Sequence, residues 1–195
     1  MPALCVQQNR DLRIIAGPCP ALILTFMLRV LTTIIAVFWS AIAYGTPYPV
    51  LEKNSELAVL GFSFVDMSTE GAYNGARDDQ TARVQLLNTA LRDRLSQEGF
   101  TVLSNEPIAE ALDAIKNPAR CNNCELKLAR ELGARYVVVG EIRKISNLIL
   151  SISLVMREAE TGVMVRALAV DIRSNTDKSW LRGLNYILKN HFFKQ

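Results

Sequence analysis

Three strand-like runs follow one another between Tyr136 and Ile172 with only short turns between them. Tyr136 to Ile145 is apolar and β-branched, and Ser146-Asn147 breaks it. Leu148 to Met156 alternates, with Leu148, Leu150, Ile152 and Leu154 on one face. EAETG, Glu158 to Gly162, is a second hairpin turn before the strand Val163 to Ile172. Consecutive strands joined by tight turns must be antiparallel neighbours. The two earlier strand candidates, Leu57 to Asp66 and Phe100 to Ser104, are instead separated by helical patterns. A chain with both habits fits an α/β (α+β) fold: one mixed sheet of about five strands, ending in a β-meander and packed against three to four helices.

The helical pattern is clearest from about Asp79 to Glu98, where Val84, Leu87, Leu91 and Leu95 recur every three or four residues. Pro107 opens a shorter helix that Asn117-Pro118 stops. A third is expected from Asn122 to Leu132, closed by Gly133, and a last one from Asp177 to Asn190. Asn175 or Thr176 is placed to cap the last helix. MSTEGAYNGARDD, Met67 to Asp79, reads as a polar surface loop. Leu87, Leu91, Leu128, Val138, Leu150, Ile152 and Trp180 are the expected core. The pattern fixes adjacency within the meander but not where the first two strands lie in the sheet.

Upstream, Arg29 precedes an apolar run from Val30 to Trp39, and Ala41-Ile42-Ala43 supplies a small-x-small cleavage pattern. A run of about ten apolar residues is short for a bilayer span, so residues 1–43 read as a signal-peptide region. Met27 is an alternative start. No cysteine follows the run closely enough to be acylated. Residues 44–56 form a lead-in and residues 57–195 a single α/β domain. The expected location is the periplasm, with no stable membrane span after cleavage. Without residues 1–43 the chain keeps 19 basic and 18 acidic residues, a near-neutral balance that gives no argument for nucleic acid.

Two of the four cysteines, Cys121 and Cys124, survive that cleavage, and an exported compartment permits them a disulfide. With the helix taken from Asn122, both fall on its first turn, where amides and the helix dipole also favour a thiolate. The preceding Asn117-Pro118-Ala119-Arg120 is a polar turn, which is wrong for a thioredoxin-like motif. A structural disulfide is the favoured reading. Thiol–disulfide exchange and metal binding stay open, though two thiols are half a tetrahedral zinc site.

Catalytic chemistry has little to build on. The single histidine, His191, lies near the C-terminus, and the carboxylate pairs Asp78/Asp79 and Glu158/Glu160 lie in expected caps or turns. Gly71-x-x-x-Gly75 lacks the rest of a phosphate loop. No catalytic residue, cofactor or metal ligand is assigned. Arg143 and Lys144 are adjacent on a strand and point to opposite faces, so one must reach solvent or the sheet edge. They are the candidate partner contacts.

LAVLGFSFVD, QLLNTALRDRLSQEGFTVLS and ELGARYVVVGEIRKISNLILSISLVMREAETG together resemble the N-terminal domain of TolB and the periplasmic domain of CsgG-type curli-secretion proteins. NNCELKLARELGA, GEIRKISNLIL and VDIRSNTDKSWLRG more closely resemble a DUF2380/DUF3280-like family of predicted secreted bacterial proteins of unknown function. The resemblance implies the mixed-sheet fold and a life in envelope assemblies, and it carries over no catalytic residue. A non-catalytic accessory or protein-interaction domain of the cell envelope is therefore expected. Its partner would be an envelope or periplasmic protein, or a second copy in a homo-oligomer. Thiol–disulfide exchange at Cys121/Cys124 and binding of a small exported ligand are the alternatives.

Overall fold

The computed structural model describes residues 51–75 and 77–193. The apolar run and cleavage pattern lie outside the described residues. Among the described residues no helix is long and apolar enough to cross a membrane.

Strand β1, Glu56–Asp66, sits next to the short β2, Thr101–Val102, on one side and β3, Tyr136–Lys144, on the other, parallel to both. β4, Ile149–Glu158, and β5, Met164–Arg173, continue from β3 as antiparallel neighbours. The sheet order is β2-β1-β3-β4-β5. The fold is the mixed α+β sheet expected from the sequence, and β1 occupies an interior position.

Two helical layers cover the sheet unequally. On one face lie α2, Asp78–Gln97, and α5, Asp177–Ile187, which continues through a π turn, Leu188–Phe192. Leu87, Leu91 and Leu95 of α2 recur every fourth residue and are fully buried, as a stripe facing a sheet requires. They share a core with Val59, Val138, Leu150, Ile152, Leu154, Trp180 and Leu184. The other face carries a smaller core of Ala58, Leu60, Val137 and Val139 under Ile108, Leu126 and Ala129. It is covered by α3, Ala109–Asp113, and α4, Cys124–Glu131. The helix expected from Pro107 is thus a 3-10 turn, Glu106–Ile108, followed by the five-residue α3.

Two local devices fix the layers. Gly61 makes a bulge in β1 at φ 89°, a backbone state open chiefly to glycine. The freed Phe62 amide donates to Asn88 Oδ1 of α2 at 2.8 Å, so the bulge anchors the helix. At α5, Thr176 is the N-cap, and Ser179 returns its side chain to the Thr176 amide in a capping box. Asn175 instead accepts from Trp180 Nε1 at 3.0 Å.

Candidate interaction surface at the carboxyl end of β1 and β3

From β1 the chain crosses one face to β2, then returns across the other face to β3. The carboxyl ends of β1 and β3 therefore flank a topological switch point, where open sheets usually leave a ligand crevice. Here the protein fills it. Asp66 and Lys144 are in register at the ends of the two strands. The Lys144 side chain has no exposed surface, and its Nζ lies 3.0 Å from Asp66 Oδ2 and 2.9 Å from Glu70 Oε2. Glu70 belongs to α1, Thr69–Asn74, within the segment read from sequence as a loop. Ser68 caps α1, its hydroxyl accepting from the Gly71 amide at 3.2 Å and donating to Asp66 Oδ1. The Met67 amide donates to Lys144 O at 2.8 Å.

The electrostatics follow from these contacts. Partial burial disfavours the charged Asp66 carboxylate, but hydrogen bonds from Ser68 and Lys144 outweigh it and hold its pKa below the ordinary 3.8. Glu70 is held below its usual value by Lys144 and then by the Asn147 side chain. Desolvation pushes the Lys144 ammonium down, and its two carboxylates push it up further, to a net rise. Lys144 is thus an internal counter-ion that clasps α1 to the end of β3. The pairing of Lys144 with Arg143 as surface contacts is corrected: only Arg143 reaches solvent.

Around this clasp several large apolar side chains are exposed. Tyr73 of α1 is 84% exposed and Leu148 70% exposed, and Met67, Ile145 and Ile149 are also exposed. All five lie on α1, just after β1, in the β3–β4 turn, or at the first residue of β4. Leu148 was expected on the buried face with Leu150. The turn occupies 145–148, however, with the Ile145 and Ser146 amides both donating to Ile149 O, so β4 starts one residue later. Leu148 falls outside the alternation. Single exposed leucines are ordinary, whereas several large apolar residues at one end of a sheet mark a contact surface.

Arg143 and the turn that precedes the cysteine pair meet on the other face of the sheet, around a residue the sequence alone did not single out. Glu141 is 5% exposed. It accepts from Arg143 Nη2 at 2.7 Å, Arg120 Nη2 at 2.9 Å and Asn117 Nδ2 at 2.9 Å. The clue was in the spacing: Glu141 and Arg143 share a strand face with Val137 and Val139, so a buried acid there needs a nearby cation. Arg120 ties this cluster to the turn before Cys121.

Cys121 and Cys124 are disulfide-linked, with Cα atoms 5.5 Å apart. Only Cys124 is on the helix. Asn122 and Asn123 take φ of 55° and 74°, left-handed states that asparagine tolerates better than most residues. They delay α4 to Cys124 and correct the expected start at Asn122. Glu125, 5% exposed, lies with Oε2 3.4 Å from Cys121 Sγ and Oε1 2.5 Å from Arg157 Nη1. The two sulfurs and Glu125 come within 4.8 Å of one another. With the disulfide closed they offer no thiolate, and Arg157 engages the carboxylate.

Among the described residues the other candidates are held in local contacts. Asp79 bonds Arg77, Glu158 accepts from Thr161, and the His191 ring lies 5.9 Å from Tyr186. The arrangement shows ion pairs, caps and an apolar rim rather than a nucleophile with its base.

A comparison with curated proteins finds no match. Solved structures with a similar fold include the C-terminal domain of LpoB from Salmonella enterica, at 18% identity and TM-score 0.47, over 64% of this chain and 86% of that one. Lipoprotein GNA1162 from Neisseria meningitidis aligns at 14% identity and TM-score 0.47, over 70% and 96%. TolB from Acinetobacter baumannii aligns at 12% identity and TM-score 0.36, over 71% of this chain and 29% of that one. A family model matches residues 55–192, from just before β1 to the end of the π turn, and by that match the chain belongs to the DUF3280 family, described as "Protein of unknown function (DUF2380)".

Proposed function

We propose that this protein is a non-catalytic accessory domain of the bacterial cell envelope. In this reading it is exported to the periplasm and acts by binding another protein through the apolar end of β1 and β3. The observation that carries the reading is the rim of Met67, Tyr73, Ile145, Leu148 and Ile149 around a fully buried Lys144 clasp. Large apolar side chains held on a rigid frame lose little entropy on binding and expel water, which is how interface hot spots work. Arg143, half-buried against Glu141, belongs to the same strand end and would supply a rim charge. The export pattern at Arg29, Val30 to Trp39 and Ala41-Ile42-Ala43 supports the location.

Crosslinking and co-purification from native envelopes test the contact. Leu148→Asp should lower recovery of the partner at least tenfold, while thermal unfolding stays within about 0.5 kcal/mol of wild type because the site is exposed. Arg143→Glu alone should weaken recovery less. Full recovery with Leu148→Asp would remove the reading. The mass of the recovered species separates a foreign partner from a second copy.

For Cys121 and Cys124 we propose a structural staple. A carboxylate 3.4 Å from Cys121 Sγ works against the thiolate that exchange chemistry needs. The bond closes a short turn carrying two left-handed asparagines. Replacing both cysteines with serine should cost about 2 kcal/mol, the low end for disulfides because the loop is short. Free-thiol counting on denatured native material should find none. Turnover of a disulfide substrate, lost in Cys121→Ser, would favour exchange instead.

A further inference from the structure

The geometry points to a second docking site, a groove between β5 and α5 that takes an extended, acidic peptide segment as an added strand. β5 is the last strand of the sheet and spans ten residues. The Ser174 amide donates back to Leu148 O. Backbone alternation then turns the amides and carbonyls of Ala169, Asp171 and Arg173 away from β4. No proline or lysine interrupts Met164 to Arg173, although exposed edges are usually protected by such residues.

Beside this edge, α5 forms a wall. Gly183 lets the helix lie directly on the sheet, since a Cβ there would stand 2.7 Å from Ile172 Cγ2. A cleft of about 540 Å³ runs along it, lined by Val170, Ile172, Arg173, Arg182, Gly183 and Tyr186. An edge strand with a helix alongside is the geometry by which peptides add a strand, main-chain bonds giving affinity and alternate side chains giving specificity. The charge names the occupant. Neither the Arg173 nor the Arg182 guanidinium has an ion pair or hydrogen-bond acceptor among the described residues, and the cleft holds one carboxylate, Asp171, against the two cations. The Arg173 end of this site adjoins the apolar rim, since Arg173 pairs with Ile149 across β4 and β5, but the free edge and the two cations are not part of that rim, and the inference does not rest on it.

Selection of a phage-displayed random decapeptide library on the wild-type protein, then synthesis of the enriched peptide, tests the inference. Enriched sequences should alternate apolar and acidic residues. The peptide should slow amide exchange at Ala169, Asp171 and Arg173. Arg173→Glu with Arg182→Glu should weaken binding at least tenfold. N-methylation of alternate peptide amides, which leaves the protein untouched, should weaken it as much. Four results would overturn the site: no enrichment, enriched peptides without acids, equal binding by the N-methylated peptide, or protection confined to the β3–β4 turn with none at Ala169 and Asp171. Concentration-dependent dimerisation that buries β5 in sedimentation and exchange experiments would assign the edge to a second copy and equally overturn it. Loss of the native partner in Leu148→Asp tests the rim alone, so the two readings fail separately.

Discussion

Replacing Lys144 with methionine should destabilise the protein by about 2–3 kcal/mol, less than the 3–5 kcal/mol for breaking a wholly buried pair because both carboxylates touch solvent. The methionine fills the volume, so the loss is electrostatic. It leaves Asp66, ionised, without a cation at the end of the sheet and takes from Glu70 one of its two, since Arg77 Nη1 stays 2.8 Å from Glu70 Oε1. Urea unfolding gives the stability, and amide exchange should show α1 opening first. Adding Asp66→Asn should recover part of the loss by removing the stranded charge. The difference between wild type and Lys144→Met depends on pH in a defined way. Asp66 and Glu70 are held below their ordinary values, so their contribution is complete above the unfolded range near 4 and vanishes as pH falls through the folded values. Lys144 is raised above its ordinary 10.5, so its contribution is complete below that pH and fades as pH rises through the folded value. The gap should be flat across neutral pH and close below about pH 4. A gap that does not shrink at all as pH falls through the acid range would mean that Lys144 contributes packing rather than charge.

Trp180→Ala should be the most damaging single change. Its side chain is fully buried, and its ring stacks on Phe64 with centroids 5.8 Å apart. The Arg83 guanidinium lies 5.3 Å from the ring centroid. Asn175 Oδ1 accepts from both Trp180 Nε1 and Arg83 Nη1, each at 3.0 Å, and Arg83 Nε pairs with Asp177 Oδ1 at 2.7 Å. One side chain thus joins α5 to β1 and α2. Truncation leaves a cavity and an acceptor short of one donor, at a cost of about 3–5 kcal/mol. Set against a typical stability of about 5–15 kcal/mol, that is much of the reserve. Each kcal/mol shifts Tm by about 2–4 °C in a domain of this size, so a melting experiment should show a drop of about 10 °C. Trp180→Phe keeps most of the volume and should lose less.

What the sequence showed plainly was whatever local period and turn chemistry decide. The stripe on α2, the meander and the cap at Thr176 are such features. Leu87, Leu91, Leu128, Val138, Leu150, Ile152 and Trp180 are all buried as expected. Most of the failures involve long-range contacts, and the rest involve the length or backbone state of a single turn. The six residues of α1 include a glycine and give no periodic signal. Their helix is held by Ser68 and by Glu70 reaching Lys144, 74 positions away. Strand alternation says that Arg143 and Lys144 face opposite ways, but not which face is covered at that end. The position of β1 between β2 and β3 likewise depends on pairings between distant segments. Leu148 was misplaced by one residue of turn length, and one residue is enough to move a side chain from core to surface. Cys121 and Cys124 were visible as a pair. The left-handed Asn122 and Asn123 between them were not, nor were the buried Glu125 and Glu141 beside them.

Site-specific photocrosslinking in the native envelope tests the proposed contact surface most directly. A photoreactive residue at Leu148 marks the β3–β4 turn, and one at Val163, 54% exposed at the β4–β5 turn, marks the opposite end of the sheet. The account predicts a discrete adduct from position 148, absent from position 163 and lost when Tyr73→Asp is added. An adduct of equal yield from position 163, or none from position 148 in protein that is folded and exported, would contradict it.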